Sequence, residues 1–379
     1  MRIAYLHVLP LEYYPPARNA LTLMGRRPGW QVRVWSSRNR RGLPAWEQSG
    51  VQVTRPADAT PRSILPLRVA GYLAWHMRAA AGIAAWRPDA LISVEPHSAL
   101  AVWIYYHIFR GKAALFIHHH EYYAPEDFLR PGMRVLRSTG ELERGDLFAR
   151  AVWVSETNED RMRLLREWNP GIRDEAVRIM PNYPPKEWID KAAALQRPAA
   201  SGRIRLVYVG SASFEDTFIR EAVTWVARHP DRASLHVSGN NIQKEVWDWL
   251  HALGSPNITF DSSGCDYGEL PDLLTQFDVG LVLYKGNTLN FVHNVPNKTI
   301  EYLACGLDVW YPPEMHGMRR FHESFPGERL VQVNFRDPPA SMPIVAPSAG
   351  KRRDFPYTCE AAMAPLFAKL EKLGHGVSE

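Results

Sequence analysis

A chain of 379 residues, 46% hydrophobic and 22% charged, has material for two globular cores and is neither disordered nor fibrous. Its 45 basic and 40 acidic residues leave a net charge of only +5, which argues against a nucleic-acid partner, whose footprint is a concentrated basic stripe with aromatic platforms. Three scattered cysteines exclude a disulfide framework, no stretch reads as a signal peptide, and the best apolar run, 99–109, lies between His97 and Arg110 and is too short to span a membrane; a cytoplasmic protein is expected.

Residues 2–9 read as a strand, 17–25 as a helix and 31–36 as a second strand, a βαβ unit that seeds a parallel sheet. Arg26, Arg27 and the cluster Arg38, Arg40 and Arg41 read as solvated loop. Further strands are expected at 90–94, 113–118, 152–155 and 177–180, with helices at 66–86, 98–109 and 158–167. Trp75, Trp86 and Trp103 fall on those helices and read as core; a lipid-facing patch beside Arg68 and Arg78 is the alternative. Residues 192–202, rich in Ala and Pro, read as a linker. The pattern then restarts, with strands at 204–209, 234–238, 258–260, 278–283 and 308–310 and helices at 217–228 and 244–253. An amphipathic helix at 355–373 ends the series.

The most informative stretch runs from Asn294 to Gly306. Pro296 suits a first helical turn and Gly306 the residue just past a helix end. Asn297, Lys298 and Glu301 are three and four positions apart and share one side, while Ile300, Leu303 and Ala304 make the apolar side. A helix N-terminus and Lys298 suit phosphates, and Glu301 suits ribose hydroxyls.

This segment, Pro296-Asn-Lys-x-x-Glu-Tyr-x-Ala-x-Gly306, resembles the donor-nucleotide helix of GT-B glycosyltransferases, especially the large retaining group related to bacterial glycan-assembly enzymes. Many members of that group carry a second glutamate eight positions before the first, where this chain has His293. The resemblance implies an α/β GT-B fold: two Rossmann-like domains facing each other across a cleft, an acceptor-side domain at 1–195 and a donor-binding domain at 203–350. It also implies that the helix at 355–375 returns to the first domain.

Four loops follow predicted strands and so lie where ligands bind in such sheets. In 12–19, Tyr13, Tyr14 and Arg18 suit a sugar ring or an isoprenoid tail on the acceptor side. In His118-His-His-Glu121, alternation sets His118 and His120 together and His119 away. That spacing does not favour a metal site. The loop resembles a GT-B acceptor-side segment, which makes Glu121 the first candidate for the base and His120 the second. Gly210 and Ser211 let backbone N–H groups approach a diphosphate, and Ser238, Gly239, Asn240 and Asn241 repeat that chemistry. Tyr284, Lys285, His293 and Asn294 precede the donor helix, in which Pro296, Asn297, Lys298, Thr299 and Glu301 complete the expected donor site. The turn 266–271 resembles a structural turn of the same family, with a base pocket near 262–265.

The implied activity is transfer of a sugar from a nucleoside diphosphate sugar to an acceptor hydroxyl, with Lys298 among the catalytic groups and neither a metal nor any other cofactor required. The acceptor would be a bacterial surface glycan or its lipid-linked precursor, met at the inner face of the cell membrane through peripheral contact. The alternatives are a nucleotide-sugar epimerase of the same architecture and a non-catalytic nucleotide-sugar-binding subunit.

Overall fold

The computed structural model describes residues 1–39, 43–56, 65–198, 202–239, 241–325, 327, 329–338 and 355–375. Arg40, Arg41 and Asn240, part of the expected linker and all of 339–354 therefore lie outside the described residues. The chain forms two compact units, Met1–Asn182 with Cys359–Glu379, and Tyr183–Thr358.

The first unit begins with β1 (Arg2–His7), α1 (Pro15–Gly25), β2 (Gln31–Ser36) and β3 (Val51–Thr54). It continues through α2 (Leu65–Trp86), β4 (Ala90–Val94), α3 (Ala99–His107) and β5 (Ala114–His118). Then come α4 (Arg134–Leu142), a π-helical turn at Glu143–Leu147, α5 (Phe148–Arg150), β6 (Trp153–Glu156), α6 (Glu159–Trp168) and β7 (Val177–Ile179). All seven strands are parallel, in the order β3-β2-β1-β4-β5-β6-β7. The order reverses direction between β1 and β4, so their carboxyl ends flank the crevice where such sheets take ligands. Ala4 and Leu6 point to one face, against Trp75, Ala79 and Val102. Ile3 and Tyr5 point to the other, against Leu21, Met24 and Phe367. Period-two alternation on a buried parallel strand thus feeds two helical layers.

The second unit contains α7 (Lys186–Ala194), β8 (Ile204–Val209), α8 (Ile219–Arg228), β9 (Ala233–Ser238), α9 (Lys244–Leu253), β10 (Ile258–Asp261) and α10 (Leu270–Leu274). Next are β11 (Val279–Leu281), α11 (Leu289–Val292), α12 (Asn297–Ala304), β12 (Asp308–Tyr311), α13 (His316–Ser324) and β13 (Leu330–Gln332). Its six parallel strands run β10-β9-β8-β11-β12-β13, with the reversal between β8 and β11. The chain then closes with α14 (Cys359–His375), which joins the first unit. There Phe367 meets Trp30 edge-on at 5.3 Å, and Arg27 lies over the same ring at 4.8 Å.

Several boundaries differ from expectation for local reasons. α1 starts at Pro15, not 17, because proline without an N–H fits the first helical turn. α14 starts at Cys359, beyond Pro356, whose ring disfavours helix in the residue before it. α7 runs into the expected linker as far as Ala194, since its alanines favour helix. β3, α4 and β13 were not expected: β3 is a half-exposed edge strand without clean alternation, and α4 carries only two buried residues. Trp75 is buried, and Trp86 and Trp103 pack partly buried against the same core.

Candidate functional site

In the second unit, α12 spans Asn297–Ala304, with Pro296 as an extended N-cap and no side chain capping it. The first N–H groups of such a helix have no intrahelical partner. Gly306 follows in the left-handed region at φ +83°, and the Arg197 guanidinium donates to the Cys305 carbonyl there. Tyr302 anchors the helix. Its hydroxyl accepts the Val209 N–H at 2.9 Å, and its ring occupies the space that a Cβ on Gly280 would fill.

That anchoring turns Lys298 toward the end of β8. The residue is only 8% exposed, and its Nζ has no hydrogen-bond partner among the described residues. The ammonium lies 4.3 Å from the Tyr208 ring centre and 5.1 Å from that of Tyr284, which stacks on Phe291 at 4.6 Å. It also abuts Gly210: a Cβ there would come within 2.7 Å of Nζ. Gly210, at φ +136°, and Gly239 are pressed together, since a Cβ on Gly239 would fall 2.2 Å from the Gly210 carbonyl oxygen. The Ser238 Oγ beside them is buried without a hydrogen-bond partner among the described residues. Aromatic faces stabilise a cation only partly, so this ammonium has capacity left for an anion.

Burial pushes Lys298 down to about 8 against the pull of Glu301. Burial raises Glu301 to about 7, opposed by Lys298 and by a hydrogen bond with Tyr267. The turn carrying Tyr267, read from sequence as merely structural, therefore supports the carboxylate expected at the ribose. Tyr208, the second ring at Lys298, was also missed; a tyrosine two residues before the glycine that follows β8 was its only signal.

Two assignments need correction. Thr299 is fully buried, and its hydroxyl lies 3.3 Å from the Met318 sulfur, so it supports the helix and does not face a donor. Lys285 Nζ donates to the Phe214 carbonyl at 2.8 Å and lies 3.7 Å from Glu221, so its charge is already engaged. His293 and Asn294 pack their carbonyls on Gly317, where a Cβ would come within 2.6 and 2.7 Å of them. The His293 ring meets His316 at 6.2 Å. Ser211 accepts the Tyr208 hydroxyl through its carbonyl, and Asn297 is half-buried at the helix start.

In the first unit, the residues following β5 are held from several sides. His118 Nδ1 lies 2.9 Å from Ser155 Oγ, and its Nε2 lies 3.2 Å from His120 Nδ1. The pair thus shares a side, and His120 Nδ1 also reaches Asn182 Oδ1 at 2.9 Å. His119 turns the other way, within 3.3 Å of Glu143 and 3.5 Å of Glu156. Although burial opposes it, those carboxylates hold His119 well above the usual histidine range. Burial instead pushes His120 down to about 3 and His7 to about 4, so both rings are neutral near pH 7. Arg161, buried, donates to the His120 carbonyl at 2.8 Å and lies 3.5 Å from Glu121.

Glu121 itself keeps 47% of its side chain exposed. The burial that its reading as a base required falls on Glu95, which is 2% exposed and directly follows β4. Desolvation raises Glu95 to about 8, partly offset by His119. Glu95 also has φ +62° and ψ 152°, a region that costs a non-glycine residue about 1–3 kcal/mol. Sequence reading missed it; an acid ending the apolar run 90–94 just before Pro96 was the available signal. Tyr13 donates its hydroxyl to Asn39, Tyr14 packs edge-on against His7 at 4.6 Å, and Arg18 is half-buried with its N–H on the Tyr14 carbonyl.

No protein-family model matches the chain, and no curated protein sequence matches it. Solved structures do. Sucrose-phosphate synthase from Thermosynechococcus elongatus superposes with a TM-score of 0.69 at 16% identity, covering 100% of both chains. The α,α-trehalose 6-phosphate synthase from Burkholderia multivorans gives 0.62 at 12% identity, covering 100% of this chain and 97% of that one. HepE from Anabaena, solved in complex with UDP and glucose, gives 0.59 at 12% identity, covering 88% and 86%. Two parallel-sheet α/β units of this kind are the fold of GT-B glycosyltransferases, as the donor-helix segment led one to expect.

Proposed function

We propose that this chain is a glycosyltransferase that moves a sugar from a nucleoside diphosphate sugar to an acceptor hydroxyl. One observation carries the reading: a buried ammonium, Lys298, with no hydrogen-bond partner among the described residues, set against two close-packed strand-ending glycines and within the first turn of an uncapped helix. In the reaction the bond from the anomeric carbon to the diphosphate oxygen breaks, and the acceptor oxygen bonds to that carbon. Negative charge grows on the departing diphosphate, where a preorganised cation and N–H groups act without reorganising. Lys298 and the N-terminus of α12 fill that role here, so no metal is invoked. Glu301, steadied by Tyr267, takes the ribose hydroxyls. The acceptor proton passes to the loop after β5, where neutral His120 and the carboxylate of Glu121 are the candidates. That HepE was solved with UDP and glucose supports the donor class.

The test is a melting panel of nucleoside mono- and diphosphates and their sugars, run with and without EDTA. One diphosphate at 100 times its Kd should stabilise by about 2.7 kcal/mol, its monophosphate less, and EDTA should change nothing. A flat panel sinks the reading. Incubating the donor alone separates the alternatives, since an epimerase yields a new nucleotide sugar and a transferase only slow hydrolysis.

We further propose a glycan or lipid-linked acceptor met at the inner membrane face, supported by α2. Among the described residues no helix is long and apolar enough to cross a membrane. Yet α2 carries no acidic residue, and Leu67, Val69, Leu73 and Met77 are 59%, 50%, 51% and 41% exposed beside Arg68 and Arg78. Val69, Leu73 and Met77 recur every four residues on one stripe. Apolar side chains flanked by arginine alone suit an anionic lipid surface. The protein should cosediment with phosphatidylglycerol vesicles, and Leu73→Asp with Met77→Asp should abolish this; equal binding by that double variant, or none by the parent, refutes the contact.

A further inference from the structure

The feature of the first unit that its expected chemistry does not use is Glu95. It follows β4, at the point where the strand order reverses. Its Oε1 accepts the His120 N–H at 2.7 Å and the Glu121 N–H at 3.2 Å, and its other oxygen is buried without a hydrogen-bond partner among the described residues. Its own N–H donates to the His118 carbonyl at 3.0 Å, and its carbonyl accepts the Ser98 N–H at 3.0 Å. Its backbone N–H and its side chain are therefore both tied to the 118–121 segment at the end of β5, while its carbonyl closes the turn to Ser98.

We propose that Glu95 is a positioning residue, which fixes the 119–121 backbone by accepting the two successive N–H groups of His120 and Glu121 and so orients the candidate proton acceptors that follow the neighbouring strand. The backbone supports this reading. A residue at φ +62° and ψ 152° persists only where its surroundings over-determine it. Glycine would adopt that conformation without strain but would bring no acceptor. Aspartate is one methylene short. Glutamate bends back from the strand end and meets two successive amides with one oxygen.

The clamp is completed by Arg161, which holds the same segment from the far side. Its guanidinium takes the His120 carbonyl and Thr157 Oγ1 while lying 3.5 Å from Glu121. Amides of 120 and 121 point to Glu95 and the intervening carbonyl to Arg161, so the peptide plane has one orientation. Rotating it would break a hydrogen bond at each face, the one to Arg161 fully buried.

What the loop does rests on the transferase reading; the clamp itself does not. Two variants of similar bulk test it. Glu95→Gln keeps an oxygen acceptor, whereas Glu95→Met removes it. With wild-type donor KM and an unchanged melting shift on nucleotide, Glu95→Gln should retain kcat within about twofold and Glu95→Met should lose on the order of 100-fold, as expected for a misplaced catalytic group. Wild-type kcat in Glu95→Met, or equal damage in both, overturns the proposal. Amide hydrogen exchange decides the clamp even if Glu95→Met does not fold or no donor is turned over. The His120 and Glu121 amides should be protected in the wild type and in Glu95→Gln, and exchange as fast as an open loop in either one overturns it.

Discussion

Lys298→Met should raise the melting temperature of the ligand-free protein while abolishing its response to nucleotide. The ammonium is buried between two tyrosine rings with no hydrogen-bond partner among the described residues. Its drop from 10.5 to about 8 corresponds to a penalty of about 3 kcal/mol in the folded state. Methionine has similar length and no charge, so that penalty vanishes and melting should rise on the order of 5 °C. Catalysis should move the other way, with kcat falling about 100- to 1000-fold if Lys298 stabilises the leaving diphosphate. The pH dependence fixes the sign. A lysine whose folded pKa is lowered costs its full penalty below about pH 8, and the cost fades as pH rises toward 10.5, because the unfolded chain holds the proton more tightly in that window. The melting advantage of the variant should therefore shrink above pH 8. A diphosphate would restore the pKa of Lys298, so binding at pH 8.5 should take up a proton, read by calorimetry in buffers of different ionisation enthalpy. A variant no more stable than the parent, with nucleotide response intact, would refute the role given to this side chain.

How far the sequence spoke depends on how local each signal is. β2, β4, β8 and α9 have the boundaries read from pattern alone, because each is a short apolar or amphipathic run between turn residues. α12 was legible for the same reason: Pro296 and Gly306 punctuate it, and the spacing of Lys298 and Glu301 is fixed by helix geometry. The partners of those residues were not legible. Tyr208 and Gly210 lie some ninety positions from Lys298, and Tyr267 lies over thirty from Glu301; only the order of strands brings them together. Conversely, Thr299 and Lys285 looked available because their types suit phosphate, and the Met318 sulfur and the Phe214 carbonyl that occupy them come from other elements. In the first unit, alternation correctly separated His119 from His118 and His120. It said nothing of Glu95, whose significance lies in a backbone angle and in amides twenty-five residues away.

Gly239→Ala should destabilise the second unit and weaken its hold on nucleotide. The new Cβ would lie 2.2 Å from the Gly210 carbonyl oxygen and 3.1 Å from its carbon, well inside contact distance. No rotamer relieves this, because both partners are backbone. The strand ends cannot simply part, since the Gly210 N–H donates to the Ser238 carbonyl at 3.0 Å. Gly210 cannot retreat freely either, with Lys298 Nζ packed against it and a φ of +136° that other residues resist. The clash must therefore move the 210–211 segment, the ammonium or both. Overpacking of this kind costs about 1–3 kcal/mol, so melting should fall by a few degrees, opposite in sign to Lys298→Met. Displacing the N–H groups offered to a diphosphate should also weaken nucleotide binding on the order of 100-fold. Gly171→Ala is the control, because a Cβ there meets nothing within 4 Å and its φ is ordinary. Calorimetric titration of the best nucleoside diphosphate would separate the cases. Undiminished affinity in Gly239→Ala would mean that the ends of β8 and β9 do not hold the phosphates, and the donor site would have to be sought elsewhere on this unit.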